Sequence, residues 1–253
     1  MKYYIIPLLK KMRIYQLVIT IYLSLNNLLL QIYPKSLNRI RILKNDLIFD
    51  VGANIGVKTE YYRKNGWRVI CFEPQKLLVE KLKQKFEGDD DVIIEHCGIG
   101  SEKSELLLKK SSTSHSQATF DAERRREVDL IRKNNFTFDE EEIVKVDTLD
   151  YMIKKHGLPK YIKIDVETFE IEVISGLSQK VDYLSFEYNN LQLENTLKII
   201  DKLEKLKFSQ FTYGVGEGFP YPWSKWFGIQ EFKKSLEQKA HFNKVGGGDI
   251  YCM

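Results

Sequence analysis

The chemistry legible in this sequence is carried by a few acidic residues and one glycine turn. Asp165, Glu167 and Glu187 fall at or just beyond the ends of two apolar runs, Tyr161-Ile162-Lys163-Ile164 and Tyr183-Leu184-Ser185-Phe186. Carboxylates grouped at one rim raise one another's pKa and can divide between them the roles of general base and hydroxyl acceptor. Glu73 ends a third run, Arg68 to Phe72, and precedes Pro74. It stands about twenty residues beyond the turn Asp50-Val51-Gly52-Ala53-Asn54-Ile55-Gly56, where a carboxylate can accept hydrogen bonds from both hydroxyls of a ribose. Gly52 and Gly56 let the turn's backbone approach a ligand closely and take dihedrals closed to other residues.

Together the turn and Glu73 suggest an adenosine-containing cofactor. Their spacing leaves a dinucleotide and S-adenosylmethionine both open. The turn lacks the G-x-G-x-x-G that brings a helix N-terminus onto a pyrophosphate, and a cofactor without phosphates needs no such seat. In a plainer reading Glu73 only caps the next helix.

Such residues must be held by a frame, and from Asp46 onward short apolar runs alternate with helical periodicity, the signature of βαβ units and a mainly parallel sheet. Strands are predicted at Leu47–Val51, Arg68–Phe72, Val92–His96, Tyr161–Asp165 and Tyr183–Glu187, with closing strands at Ser209–Tyr213 and Asp249–Cys252. Helices are predicted from about Gly56, through Leu78, Leu82 and Phe86, up to Gly176, through Leu193 to Leu203, and near Phe232 to Lys239. In an open parallel sheet ligands bind beyond the carboxyl ends of the strands, where the turn and the carboxylates lie.

Two segments depart from this rhythm. Residues from about 101 to 146 read as an insertion: two strands, Glu105–Leu108 and Glu142–Val146, joined by a polar stretch that reads as a mobile loop. His115 in that stretch is either a lid residue over the acceptor or a surface histidine. The aromatic stretch Phe219 to Trp223, with Trp226 and Phe227, either stacks on a sugar ring or closes the core. Trp223 is the stacking candidate.

At 253 residues and 43% hydrophobic content the chain suits one large domain with one active site. Its formal charge of +4 is dispersed, and Arg124-Arg125-Arg126, flanked by Glu123 and Glu127, reads as a solvated helix face, so no nucleic-acid partner is expected. Three widely spaced cysteines give no disulfide framework and fit a reducing, cytoplasmic setting. The four histidines form no metal-ligand spacing, and no metal is expected, although the carboxylate cluster is of the type a hard cation prefers. Ile14 to Pro34 carries no charged side chain, but polar residues interrupt it. It reads as an amphipathic helix, packed on the domain or lying on a membrane, with no secretory cleavage site. Residues 1–45 are thus expected to form an N-terminal helical arm and 46–253 the catalytic domain. Residues 1–34 are the candidate peripheral membrane contact, and oligomeric state is open.

The motifs Asp50-Val51-Gly52-Ala53-Asn54-Ile55-Gly56, Phe72-Glu73-Pro74, Asp147-Thr148-Leu149-Asp150, Lys163-Ile164-Asp165-Val166-Glu167 with Glu170, and Phe186-Glu187 occur in the order seen in FkbM-type methyltransferases. The chain resembles that family from about Asp46 to Glu187. The resemblance implies a doubly wound α/β fold of the class I (Rossmann-like) methyltransferase type, a mainly parallel seven-stranded sheet with its last strand antiparallel. It also implies S-adenosylmethionine as cofactor and O-methylation of a sugar, glycan or small-metabolite hydroxyl. By position, Asp50, Gly52, Ala53, Asn54 and Gly56 would wrap the methionine end of the cofactor, Glu73 with Pro74 would hold the ribose, and Cys97 and Gly98 would lie against the adenine. The family usually has Gly after Asp-Val-Glu where this chain has Thr168, which narrows the site or caps a helix.

Methyl transfer from a sulfonium needs acceptor oxygen, methyl carbon and sulfur in line, and alignment can supply about 7–11 kcal/mol. A base adds about a hundredfold to ten-thousandfold. Asp165 is the first candidate, with Glu187 beside it and Glu167 as an acceptor-binding residue; first-turn carboxylates such as Glu167 and Glu170 can equally be solvated groups favoured by a helix dipole. The competing readings are a catalytically inactive cofactor-binding or membrane-associated scaffold, and an NAD-dependent oxidoreductase, which the missing phosphate turn disfavours.

Overall fold

A strand between two helical layers has no solvent face, and Leu47–Val51 (β1) is buried at all five positions. The computed structural model describes residues 41–112, 114–132, 137–214, 225–242 and 247–253, without the side chains of 114–117, 132, 241 and 242. After β1 come Val57–Lys64 (α1), Arg68–Phe72 (β2), Lys76–Lys85 (α2), Val92–Glu95 (β3) and Gly98–Ile99 (β4). The middle of the chain forms Ser104–Ser111 (β5), Ser114–Thr119 (β6), Ala122–Arg132 (α3), Glu140–Asp147 (β7) and Leu149–His156 (α4). Then follow Tyr161–Ile164 (β8), Glu170–Ser175 (α5), Tyr183–Asn189 (β9), Leu193–Lys205 (α6), Gln210–Tyr213 (β10), Phe227–Gly228 (β11), Ile229–Phe242 (α7) and Gly247–Cys252 (β12).

The main sheet runs β11-β10-β12-β9-β8-β1-β2-β3. The pairs β3–β2, β2–β1, β1–β8 and β8–β9 are parallel, and β12 is antiparallel to both β9 and β10. This is the doubly wound fold with an antiparallel last strand that the resemblance implies, extended at one edge by the two-residue β11 as an eighth strand. The chain order reverses between β1 and β8, so the carboxyl ends of these strands open the crevice in which such folds bind ligands. The core packs Phe49, Phe72, Ile162, Ile164, Leu184 and Phe186 from the sheet against Leu149, Val173, Ile200 and Phe232 from the helices.

The insertion differs from the sequence reading. Its polar stretch is not a loop: β6 and α3 lie within it, and β4, β7, β5 and β6 form a second, four-stranded sheet. Ser and Thr satisfy a strand as well as a turn, and β6 pairs with β5 at Lys109↔Thr119 and Ser111↔Ser114. Arg124-Arg125-Arg126 is not a uniformly solvated face either. In α3, Arg125 and Asp129 are buried at i and i+4, and Val128 is buried with them. Phe227 belongs to the core, its ring 6.3 Å from Tyr213 and 5.9 Å from Phe232. Trp223 and residues 1–34 lie outside the described residues. Among the described residues no helix is long and apolar enough to cross a membrane.

Candidate active site

The turn after β1 works by alternation: Gly52, Asn54 and Gly56 all take left-handed backbone angles, with φ of 78°, 52° and 73°. Glycine does so without strain and asparagine tolerates it. A Cβ at Gly52 would stand 1.9 Å from the carbonyl oxygen of Asp165, so only glycine fits where the β1 and β8 ends cross. The rolled turn aims the Asn54 amide at Glu73 Oε2 (2.8 Å), and the Gln75 amide donates to Glu73 Oε1 (2.9 Å). Each carboxylate oxygen keeps a lone pair for a further donor. Glu73 is 2% exposed, and burial pushes its pKa up to about 7 against the pull of those two amides.

Glu73, Gly52, Ala53, Asn54, Pro74, Cys97 and Gly98 line one cavity of about 450 Å³, within the range of small-molecule sites. Burial raises the Cys97 thiol to about 12, so it stays a neutral wall. Gly98 admits the ring of Phe120, which a Cβ would meet at 2.8 Å, and Phe120 from the insertion lines the same cavity. Asp50 and Gly56 sit behind the wall. Asp50 is wholly buried and accepts from Thr59 Oγ1 at 2.7 Å, while Gly56 precedes α1 where a Cβ would strike Leu82 and Phe86.

Asp165, just after β8, and Glu187, in β9, line the same cavity. Glu73 follows β2 and Glu187 belongs to β9, three strands away, which is about 14 Å at the spacing of strands in a sheet. The cavity therefore has length for a nucleoside at one end and a second reactant at the other. Burial raises Glu187 well above the usual carboxylate range, and the neighbouring Asp165, Glu170 and Asp249 charges add to it. Asp165 goes the other way. The desolvation of this partly exposed carboxyl is outweighed by the Lys163 ammonium 3.2 Å from Oδ2 and by a hydrogen bond with Glu187, and it is held below its ordinary value. Of the pair, Asp165 is thus the carboxyl favoured to ionise and Glu187 the one favoured to keep a proton, as expected of two carboxyls sharing a site. Among the described residues no cluster of three or more His, Cys, Asp or Glu is placed to hold a metal.

The loop after β8 is fastened by the insertion. Arg125 pairs with Glu167, Thr119 Oγ1 donates to the Glu167 carbonyl (2.8 Å), and Arg124 donates to the Thr168 carbonyl (2.9 Å). Glu167 lines the cavity with its charge matched by Arg125, so it is neither a free carboxylate nor part of α5, which starts at Glu170. Nor does Thr168 cap that helix: Phe169 holds the cap position without a side-chain bond. Thr168 instead has φ of 81°, a left-handed angle that a β-branched residue adopts only under strain. Glycine would release about 1–3 kcal/mol of strain and cost about 0.5–1 kcal/mol in unfolded-state entropy. Thr168→Gly is therefore expected to stabilise the fold by about 1 kcal/mol, raising Tm by about 2–4 °C. A lower Tm in a melting experiment would contradict the strain argument.

Residue 115 is part of β6 and not of a lid loop, and its side chain lies outside what is described. The sequence reading missed Lys163, Phe120 and the two arginines as parts of this site. Lys163 had a signal, since a lysine inside a strand buried at all four positions must have anionic partners. Phe120 and Arg125 had none, because their placement depends on the path of the insertion.

The family model of the FkbM methyltransferase domain matches residues 50–209, more than half of the 253. No curated protein matches. Similar solved structures include the precorrin-6y C5,15-methyltransferase of Geobacter metallireducens GS-15, with 10% identity, 86% of this chain and 84% of that chain covered, and a TM-score of 0.42. Aeropyrum pernix fibrillarin bound to S-adenosyl-L-methionine is 10% identical over 83% of this chain and 67% of that one, TM-score 0.39. A Streptococcus thermophilus rRNA methylase is 8% identical over 85% and 90%, TM-score 0.40. With its motifs in order and a doubly wound sheet beneath them, the chain belongs to the FkbM methyltransferase family and is an S-adenosylmethionine-dependent methyltransferase.

Proposed function

We propose that the chain methylates a hydroxyl oxygen of a sugar-like or small polyhydroxylated acceptor, with Asp165 as the base. The observation that carries this reading is the Asp165–Glu187 pair lining the cavity that also holds Glu73, with the Lys163 ammonium 3.2 Å from Asp165 favouring its ionised form. An alcohol is a poor nucleophile while protonated; a carboxylate within reach accepts its proton as the oxygen attacks. Glu187 donates its one proton to Asp165 and orients it, and its other oxygen can accept from an acceptor hydroxyl. Bound S-adenosylmethionine supplies an electrophilic methyl group that needs no activation. Glu73 would hold the ribose hydroxyls, Gly52 to Asn54 the methionine end, and Cys97, Gly98 and Phe120 would line the adenine end. The deep setting of Glu73 and the turn's close backbone approach at Gly52 fit this cofactor.

The test is calorimetric titration with S-adenosylhomocysteine, with NAD as control, followed by methyl transfer from labelled S-adenosylmethionine to a panel of sugars and polyols. Micromolar binding of S-adenosylhomocysteine alone and label appearing as an acid-stable methyl ether are expected. Transfer only to amines or carboxylates would overturn the hydroxyl assignment.

A further inference from the structure

Lys163 is 7% exposed, in the middle of a parallel sheet, where an ammonium is costly and an apolar side chain would serve packing as well. An ammonium has three protons to donate. Three acceptors surround this one: Asp165 Oδ2 at 3.2 Å, the Gly52 carbonyl at 3.4 Å and Asp50 Oδ1 at 3.7 Å. Asp50 Oδ1 is buried with no hydrogen-bond partner, and Lys163 is the cation within ion-pair reach of it. The same group thus touches the strand end that opens the cofactor turn, the turn itself and the candidate base.

We infer that Lys163 is a positioning residue for the reaction, keeping Asp165 ionised and aimed into the cavity while tying it to the Asp50–Gly52 turn. This rests on the reading of Asp165 as base. The groups facing this centre from each element are Asp50 on β1, Cys71 and Glu73 at β2, Lys58 on α1, Tyr161 and Asp165 on and after β8, Glu187 on β9, Glu170 on α5 and Asp249 on β12. Anions dominate that set. Without the Lys163 charge Asp165 would be pressed by Asp50 and Asp249, and by Glu187 and Glu170 wherever they ionise, would take up a proton at higher pH than in the wild type, and once protonated would cease to accept one from an alcohol.

The experiment follows the Asp165 carboxyl carbon by NMR, assigned with Asp165→Asn, through a pH titration of the wild type, Lys163→Met and Lys163→Arg. Loss of a neighbouring opposite charge is expected to raise the Asp165 midpoint by about 2 pH units in Lys163→Met, while Lys163→Arg stays near wild type. In turnover the acidic limb of the kcat/KM profile should move up with it, so that the deficit is large at mildly acidic pH and shrinks toward neutral pH. A merely structural lysine would lower the rate equally at every pH. An Asp165 midpoint unchanged in Lys163→Met would overturn the inference. Should Lys163→Met not fold, the reciprocal measurement decides: Asp165→Asn must lower the pKa of the Lys163 amine by about a unit or more, and an unchanged value is equally fatal. Neither titration needs cofactor or acceptor, so failure to bind S-adenosylhomocysteine or to methylate a hydroxyl would remove the functional reading separately.

Discussion

Asp165→Asn is expected to lower kcat by about a hundredfold to ten-thousandfold while S-adenosylhomocysteine binds as in the wild type. Asparagine keeps the shape and one acceptor oxygen but cannot take the proton of an attacking alcohol. The Asn54 and Gln75 amides keep their bonds to Glu73 in the variant, and Gly52 abuts Asp165 at its backbone carbonyl, which the substitution does not alter. The variant also removes the charge that helps to raise Glu187. Glu187 should then ionise at lower pH and provide a weak substitute base, giving residual activity that climbs as pH rises. Glu187→Gln is the informative contrast. It preserves a hydrogen-bond donor toward Asp165, and its kcat should fall by no more than about tenfold, within the range of lost neutral hydrogen bonds. Were the two variants to show reversed deficits, the base would be Glu187 and the proton assignment wrong.

The frame of this site was readable because it rests on period and position. The runs at Leu47, Arg68, Tyr161 and Tyr183 are short, apolar and strand-like, and they form β1, β2, β8 and β9 at those places. A carboxylate following such a run falls at the open end of a parallel sheet, which is why Glu73, Asp165 and Glu187 are legible from sequence. What escaped was set by contacts remote in sequence. Arg125 looks solvated within a basic triplet, and only the docking of α3 on the loop after β8 brings it to Glu167, 42 residues away. Ser114 to Thr119 is polar enough for a loop, yet β5 offers it an edge. Thr168 sits where a cap is plausible by spacing, but the chain reaches α5 through two left-handed residues, Glu167 and Thr168. Which of Asp165 and Glu187 is the more acidic could not be read either, because it depends on which of them Lys163 approaches.

Glu73→Gln is expected to weaken S-adenosylhomocysteine binding by about a hundredfold or more, since two charge-assisted hydrogen bonds of about 1.5–3 kcal/mol each would be lost or reduced. Glutamine also turns an amide N–H₂ toward the Asn54 or Gln75 amide, where Glu73 presents an acceptor to both. In the wild type the same carboxyl makes cofactor affinity depend on pH. Burial raises it to about 7, and ribose hydroxyls donating to it favour its ionised form, so binding must lower its pKa. Affinity should accordingly be constant above pH 7 and fall as pH drops through 7, by up to about tenfold per unit between the pKa values of the free and bound forms. The sign for the free fold is opposite. A carboxyl raised from 4.5 to about 7 is held protonated in the folded chain and ionises readily in the unfolded one, so its contribution to stability is full below 4.5 and is lost as pH rises to 7. Cofactor binding relieves that loss, because it supplies the buried carboxylate with partners. The rise in Tm on adding S-adenosylhomocysteine should therefore be larger at pH 8 than at pH 6, and Glu73→Gln should abolish the difference. Equal affinity at both pH values in the wild type would mean that Glu73 binds no ribose and only braces the turn.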